Sequence, residues 1–202
     1  MKIISISGLD GSGKSTQIEM LKSYLESQGQ KIFYFHAIQF GLANILKKQY
    51  YKLLHMQRFV VLNNLKEKSV VKANRLQIIG RRIFLLIDLL RFKMLRSKLR
   101  NAGYDYILSD RYFYDSAINI KYLAKSDKKL PCDKLISKPE LAIYLETSPE
   151  NIMQRERKPD QGLEYLQTKK ILYDKMAPFW NLKVIDGNRL PEEVFSNIKR
   201  LV

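Results

Sequence analysis

The residues best equipped for chemistry in this 202-residue chain are Gly8-Leu9-Asp10-Gly11-Ser12-Gly13-Lys14-Ser15-Thr16, which match the G-x-x-x-x-G-K-S/T spacing of a phosphate-binding loop. The spacing has a physical purpose. Glycines let successive backbone N–H groups converge on a triphosphate, the lysine reaches the β- and γ-phosphates, and the first hydroxyl ligates Mg2+. Gly11, Ser12, Gly13, Lys14, Ser15 and Thr16 are therefore candidate contacts for the phosphates of a triphosphate, with Lys14 catalytic and Ser15 a metal ligand.

Two further groups fit the same chemistry. Asp110-Arg111-Tyr112 follows the apolar run Tyr104-Asp105-Tyr106-Ile107-Leu108-Ser109. An acid at the end of a strand beside the loop holds Mg2+, usually through water, and an adjacent Arg grips a phosphate bidentately. Arg155, Glu156, Arg157 and Lys158 run into Pro159-Asp160-Gln161-Gly162, the composition of a mobile lid that brings positive charge to a transferring phosphoryl group. His36 and Cys132 read as ordinary loop residues, since neither has a partner group nearby in sequence.

These groups need a frame, and the periodicity supplies one. Lys2 to Ser7, Lys31 to Phe35, Tyr104 to Ser109, Leu141 to Leu145 and Lys183 to Asp186 read as strands. Helical spacing lies between them, at Ile18, Leu21 and Leu25 after the loop and again from Leu163 to Met176. Ser148-Pro149-Glu150 is a helix start, and Gly29 a left-handed cap. The alternation predicts an α/β fold with five strands in a parallel sheet. The long segment from Gly41 to Arg100 is helical in pattern, with Ile83, Leu86, Ile87, Leu90, Met94 and Leu95 on one apolar face and a basic face opposite. Length and the absence of a linker predict a single domain over 1–202.

Composition limits the classes. One cysteine excludes an intramolecular disulfide framework, and no apolar run approaches the ~20 residues of a membrane span. The N-terminus shows no signal segment, so the expected location is cytoplasmic, with no membrane partner. The formal charge of +16 suits phosphorylated substrates but equally nucleic acid. Much of it sits between Gly41 and Arg100, without a recognisable nucleic-acid motif or a regular aromatic platform.

In this order the landmarks resemble the thymidylate kinase family of nucleoside monophosphate kinases. The resemblance is carried by the Asp10-bearing loop, Asp110-Arg111-Tyr112, Leu145-Glu146-Thr147-Ser148-Pro149-Glu150 leading to the arginines, and Ile185-Asp186-Gly187-Asn188. It implies a three-layer P-loop kinase fold with helices on both sheet faces, a short lid at about 154–163, and in-line transfer from Mg-ATP to dTMP, giving dTDP. It also implies that Asp10 faces the acceptor's sugar, Arg111 its 5′-phosphate and Arg91 its base, with Gly187 and Asn188 beside the adenine. With Ser12 rather than Arg in the loop, the catalytic charge falls to Arg155 or Arg157, and the family's habit makes a homodimer possible. The acceptor side departs from the family pattern. His36-Ala37-Ile38-Gln39-Phe40-Gly41 stands where an Arg-Glu-Pro-Gly-Gly segment is usual, Ile87 at the base platform, and Asn119 near the sugar. Two alternatives stay open: another nucleotide or phosphorylated metabolite as acceptor, and a basic P-loop module engaging nucleic acid.

Overall fold

In the computed structural model, which describes residues 1–46, 49, 73–156 and 158–202, five strands form one parallel sheet. They are β1 (Lys2–Gly8), β2 (Ile32–Phe35), β3 (Tyr106–Asp110), β4 (Leu141–Glu146) and β5 (Lys183–Asp186), in the order β2-β3-β1-β4-β5. The central strand β1 alternates strictly. Ile3 enters one core and Ile4 and Ile6 the other, because successive side chains of a strand point to opposite faces. Each core recruits its own helices, so the chain stacks in three layers, as the resemblance implies.

On one face, α1 (Lys14–Ser27) buries Ile18, Leu21 and Leu25 against β1, with Val194 and Ile198 of α7 (Pro191–Lys199) beside them. The other face takes the short α2 (Ala37–Phe40), α3 (Arg75–Asn101), α4 (Phe113–Leu123), α5 (Pro149–Gln154) and α6 (Leu163–Met176). Phe35, Phe92, Tyr112 and Phe113 form an aromatic cluster there, with ring centroids 4.8 Å apart for Phe35–Phe92 and 5.2 Å for Phe92–Phe113. Such tilted and edge-on pairs add about 0.5–1.5 kcal/mol each to the burial itself. They fix α3 and α4 to the end of β2 and β3, where Asp110 and Arg111 emerge.

Helix α3 has two apolar sides rather than the one that the periodicity shows. Leu85, Leu89, Phe92 and Leu99 face the core, whereas Leu76 (78% exposed), Ile79, Ile83, Leu86, Leu90 (62%) and Met94 form an outward stripe. The basic residues therefore flank both sides instead of occupying one face. Local expectations hold elsewhere: Ser148 accepts from the Asn151 N–H as N-cap of α5 with Pro149 behind it, and Gly29 is left-handed at φ 76°. The basic residues from Lys47 to Lys72, and Arg157, lie outside the described residues.

Candidate functional site

Register explains why motifs distant in sequence meet. Ile6 pairs with Asp110, Gly8 with Leu145, and Glu146 with Asp186, so the carboxyl ends of β3, β1, β4 and β5 form one rim. Open α/β sheets bind ligands at that rim.

The loop leaves β1 at Gly8, where a Cβ would stand 2.7 Å from the Leu145 carbonyl oxygen, a backbone atom that cannot swing aside. At Gly13 the chain is left-handed, φ 99°, as it turns into the first residue of α1. Asp115 secures this entry from below: its carboxylate accepts from Ser7 Oγ at 2.6 Å, the Tyr112 N–H at 2.8 Å and the Tyr173 hydroxyl at 2.7 Å. Lys14 folds back over the loop, donating from Nζ to the Leu9 carbonyl at 2.5 Å. Burial first, and then the Arg111 charge, push its amine down to about 8.

Beside it the Ser15 hydroxyl donates to Asp110 Oδ2 at 2.5 Å, and the Tyr34 hydroxyl reaches the same oxygen at 3.3 Å. Burial and the Asp110 charge push the Tyr34 phenol up to about 12. Both donors fall on Oδ2, while the buried Asp110 Oδ1 has no partner among the described residues. One such carboxylate oxygen beside a loop hydroxyl fits the hard, oxygen-seeking Mg2+ ion, which takes one or two carboxylates and fills its octahedron with water and substrate phosphate. The residues present thus fit the expected cation.

Arg111 sits at φ 66°, a left-handed conformation that costs a non-glycine residue roughly 1–3 kcal/mol. Its backbone is held there by the Ile6 carbonyl at 3.1 Å, the Ala37 N–H at 3.2 Å and the Ser109 hydroxyl at 2.8 Å. The turn aims its guanidinium at Asp10 Oδ1, to which it donates. Asp10 Oδ2 accepts from the Tyr165 hydroxyl at 2.8 Å, and Lys169 Nζ stands 3.8 Å away. Burial works against the Asp10 carboxylate, but Arg111, Lys169 and Lys14 together hold its carboxyl well below the usual range.

The residues expected at a lid and beside an adenine also converge. Arg155 donates from Nη1 to the Gly11 carbonyl at 2.6 Å and from Nη2 to the Gly187 carbonyl at 3.2 Å, spanning the loop and the turn after β5. Asn188 Oδ1 accepts from the Ser148 N–H and from Asn151 Nδ2, both at 2.9 Å, and the Gly187 N–H donates to the Glu146 carbonyl at 2.6 Å. A side chain at Gly187 would meet Thr147 Oγ1 at 2.3 Å, so only glycine keeps the two turns in contact.

Arg91 is placed apart from these groups. It donates to the Phe40 carbonyl at 3.0 Å and to Asp88 Oδ1 at 2.6 Å, and stacks 4.4 Å from the Phe40 ring centroid. Asp88 in turn accepts from the Leu42 N–H. Arg91 thereby fastens residues 40–42 to α3, and lines a groove with Phe40, Met94, Leu95 and Lys98. His36 caps α2, its Nδ1 accepting from the Gln39 N–H at 3.3 Å, which agrees with its reading as an ordinary loop residue. Cys132 is a buried free thiol, pushed up by burial.

The sequence reading missed Tyr34, Asp115, Tyr165 and Lys169. For Lys169 a signal existed: it falls in the buried stripe of α6, between Leu166 and Leu172, where a lysine needs a reason.

A 2-3-1-4-5 parallel sheet with a phosphate loop after its central strand, and an Asp–Arg pair closing the neighbouring strand, is a P-loop kinase fold. No protein-family model matches the chain. Curated relatives match it nearly end to end: a thymidylate kinase of Thermosipho africanus is 25% identical over 98% of this chain and 96% of its own length. Another, of Carboxydothermus hydrogenoformans, is 27% identical over 98% and 95%. Among solved structures, a thymidylate kinase from Candida albicans shares the fold with a TM-score of 0.61 at 19% identity, covering 99% of this chain and 90% of that one. The chain is similar to thymidylate kinases over nearly its full length, and in enzyme class it is a nucleoside monophosphate kinase.

Proposed function

We propose that the chain transfers the γ-phosphoryl group of ATP, as its Mg2+ complex, to the phosphate of dTMP. The observation that carries this reading is the adjacency of Asp110 and Arg111: of two consecutive residues, the carboxylate is turned to Ser15 of the loop and the guanidinium to Asp10. Phosphoryl transfer needs two phosphates held in line with their charge neutralised, and little covalent chemistry from the protein.

The loop N–H groups and Lys14 take the donor phosphates; Lys14 must leave the Leu9 carbonyl to do so. Ser15 and Asp110 would hold Mg2+, which would supply charge neutralisation to the phosphate being transferred. Arg111 leaves Asp10 for the acceptor's phosphate, and Asp10 then faces the acceptor's sugar. Arg155 exchanges its two carbonyl contacts for the transferring group as the lid, residues 154–163, closes over a single domain. Gly187 and Asn188 flank the adenine. Arg91 reads the base by giving up Phe40 or by presenting that ring with its own guanidinium.

A coupled ADP-release assay across dTMP, dUMP, dCMP, dGMP and dAMP tests the reading. The expected result is a preference for dTMP and turnover abolished by Lys14→Ala; near-normal transfer by that variant, or no response to millimolar dTMP, overturns it. We also infer that the α3 stripe is covered by a second copy of the chain, since its 3- and 4-residue spacing suits helix-on-helix packing.

A further inference from the structure

Asp10 has its two carboxylate oxygens divided between different parts of the fold. Oδ1 receives the Arg111 guanidinium from the end of β3. Oδ2 is held from α6, where the Tyr165 hydroxyl donates to it at 2.8 Å and Lys169 donates from Nζ to that same Tyr165 oxygen at 2.6 Å. The order of donation is fixed: with its oxygen occupied by the lysine, the phenol gives its only proton to Asp10. Tyr165 and Lys169 are one helical turn apart, so their side chains lie on one face of α6. The Tyr165 ring is braced edge-on by Tyr122 at 5.1 Å. Lys169 is 6% exposed, and an ammonium group that deep is costly to bury. Burial depresses its pKa while Asp10 draws it back up, which marks Asp10 as the group it serves.

The two supports of Asp10 are not equivalent. Arg111 is needed by the acceptor's phosphate, whereas Lys169 and Tyr165 are buried on α6 and have no such second task. If Arg111 were the only cation at Asp10, its departure would leave a buried carboxylate unpaired and free to rotate. With the α6 pair in place, departure of Arg111 frees Oδ1 alone.

We propose that Lys169, acting through Tyr165, is a positioning residue that holds Asp10 Oδ2 so that Oδ1 is presented to the sugar hydroxyl of the acceptor once Arg111 turns to the phosphate. The inference rests on the phosphotransfer reading above. It makes Lys169 a determinant of how strongly the enzyme demands that hydroxyl, because a buried acceptor oriented toward a substrate hydroxyl rejects analogues that lack it.

The test is a substrate–variant cycle with dTMP and 3′-deoxythymidine monophosphate. Wild-type enzyme prefers dTMP in kcat/KM. Lys169→Met shrinks that preference by about tenfold or more, the loss falling on dTMP and chiefly in KM. Lys169→Arg restores most of the preference. Tyr165→Phe, which keeps the ring packing and removes only the hydroxyl, reproduces the selective loss should the methionine variant prove too unstable to assay. A fall on both acceptors in parallel marks a purely structural lysine and overturns the inference, as does a wild-type enzyme indifferent to the 3′-hydroxyl; both leave the kinase reading intact. A wild-type protein inert with every nucleoside monophosphate overturns the kinase reading and the inference together.

Discussion

Replacing Arg155 with Ala separates what this residue does at rest from what it does in the reaction. In the structure its guanidinium spans the Gly11 and Gly187 carbonyls at 2.6 and 3.2 Å. These bonds are half-exposed, so each is worth about 1 kcal/mol net and the pair about 2 kcal/mol. For a chain of 202 residues the entropy of unfolding is roughly 0.4 kcal/mol/K, which turns that loss into a fall of about 5 °C in Tm. The kinetic cost is larger. An arginine that neutralises charge on a transferring phosphoryl group contributes about a thousandfold or more to kcat, equal to at least ~4 kcal/mol of barrier. On the proposed role the contact is made in the transition state, so KM for ATP should change little while kcat and kcat/KM fall together. Steady-state kinetics with ATP and dTMP, alongside a thermal melt, read both numbers. A kcat within tenfold of wild type refutes the role; if Arg157→Ala then abolishes turnover, the charge comes from that residue instead.

Lys121 and Asp133 form a fully buried pair, 0% exposed on both sides, with the lysine also donating to the Lys128 carbonyl and the aspartate accepting from the Leu130 N–H. Lys121→Met should cost about 3–5 kcal/mol by leaving the carboxylate unpaired, and Lys121→Met with Asp133→Leu should recover part of it in urea unfolding. Alkaline titration should destabilise the fold. Burial raises the phenols of Tyr112, Tyr144 and Tyr173 and pushes Tyr114 up to about 12, so above pH 10 the unfolded chain ionises tyrosines that the folded chain keeps neutral, and stability falls as pH rises. Urea midpoints between pH 9 and 11 check the sign. Sedimentation velocity should show a dimer for the native chain and a monomer for Ile83→Glu with Leu90→Glu, since each charge would fall within the exposed stripe of α3.

Local spacing accounts for the loop, the five strands and the helices that flank the loop, and it marked Ser15 and Asp110 one by one as candidate cation ligands. Glycines at fixed intervals, an alternating run before them and an amphipathic stretch after them are short-range signals that tertiary contacts seldom reverse. It also delivered Arg155, as a cation in a segment that could reach the loop. What it could not give was the side of a helix that faces inward. On α3 two apolar stripes compete, and the aromatic cluster of Phe35, Phe92 and Phe113 decides for Leu85, Leu89 and Phe92 over the more regular stripe through Ile83 and Leu90. The partners of Asp10 belong to the same category. Arg111 reaches it because β3 lies beside β1, and Tyr165 and Lys169 because α6 crosses the sheet rim. None of those distances has a trace in local spacing, since they arise from strand order and helix packing, and they alone settle which charges share one carboxylate.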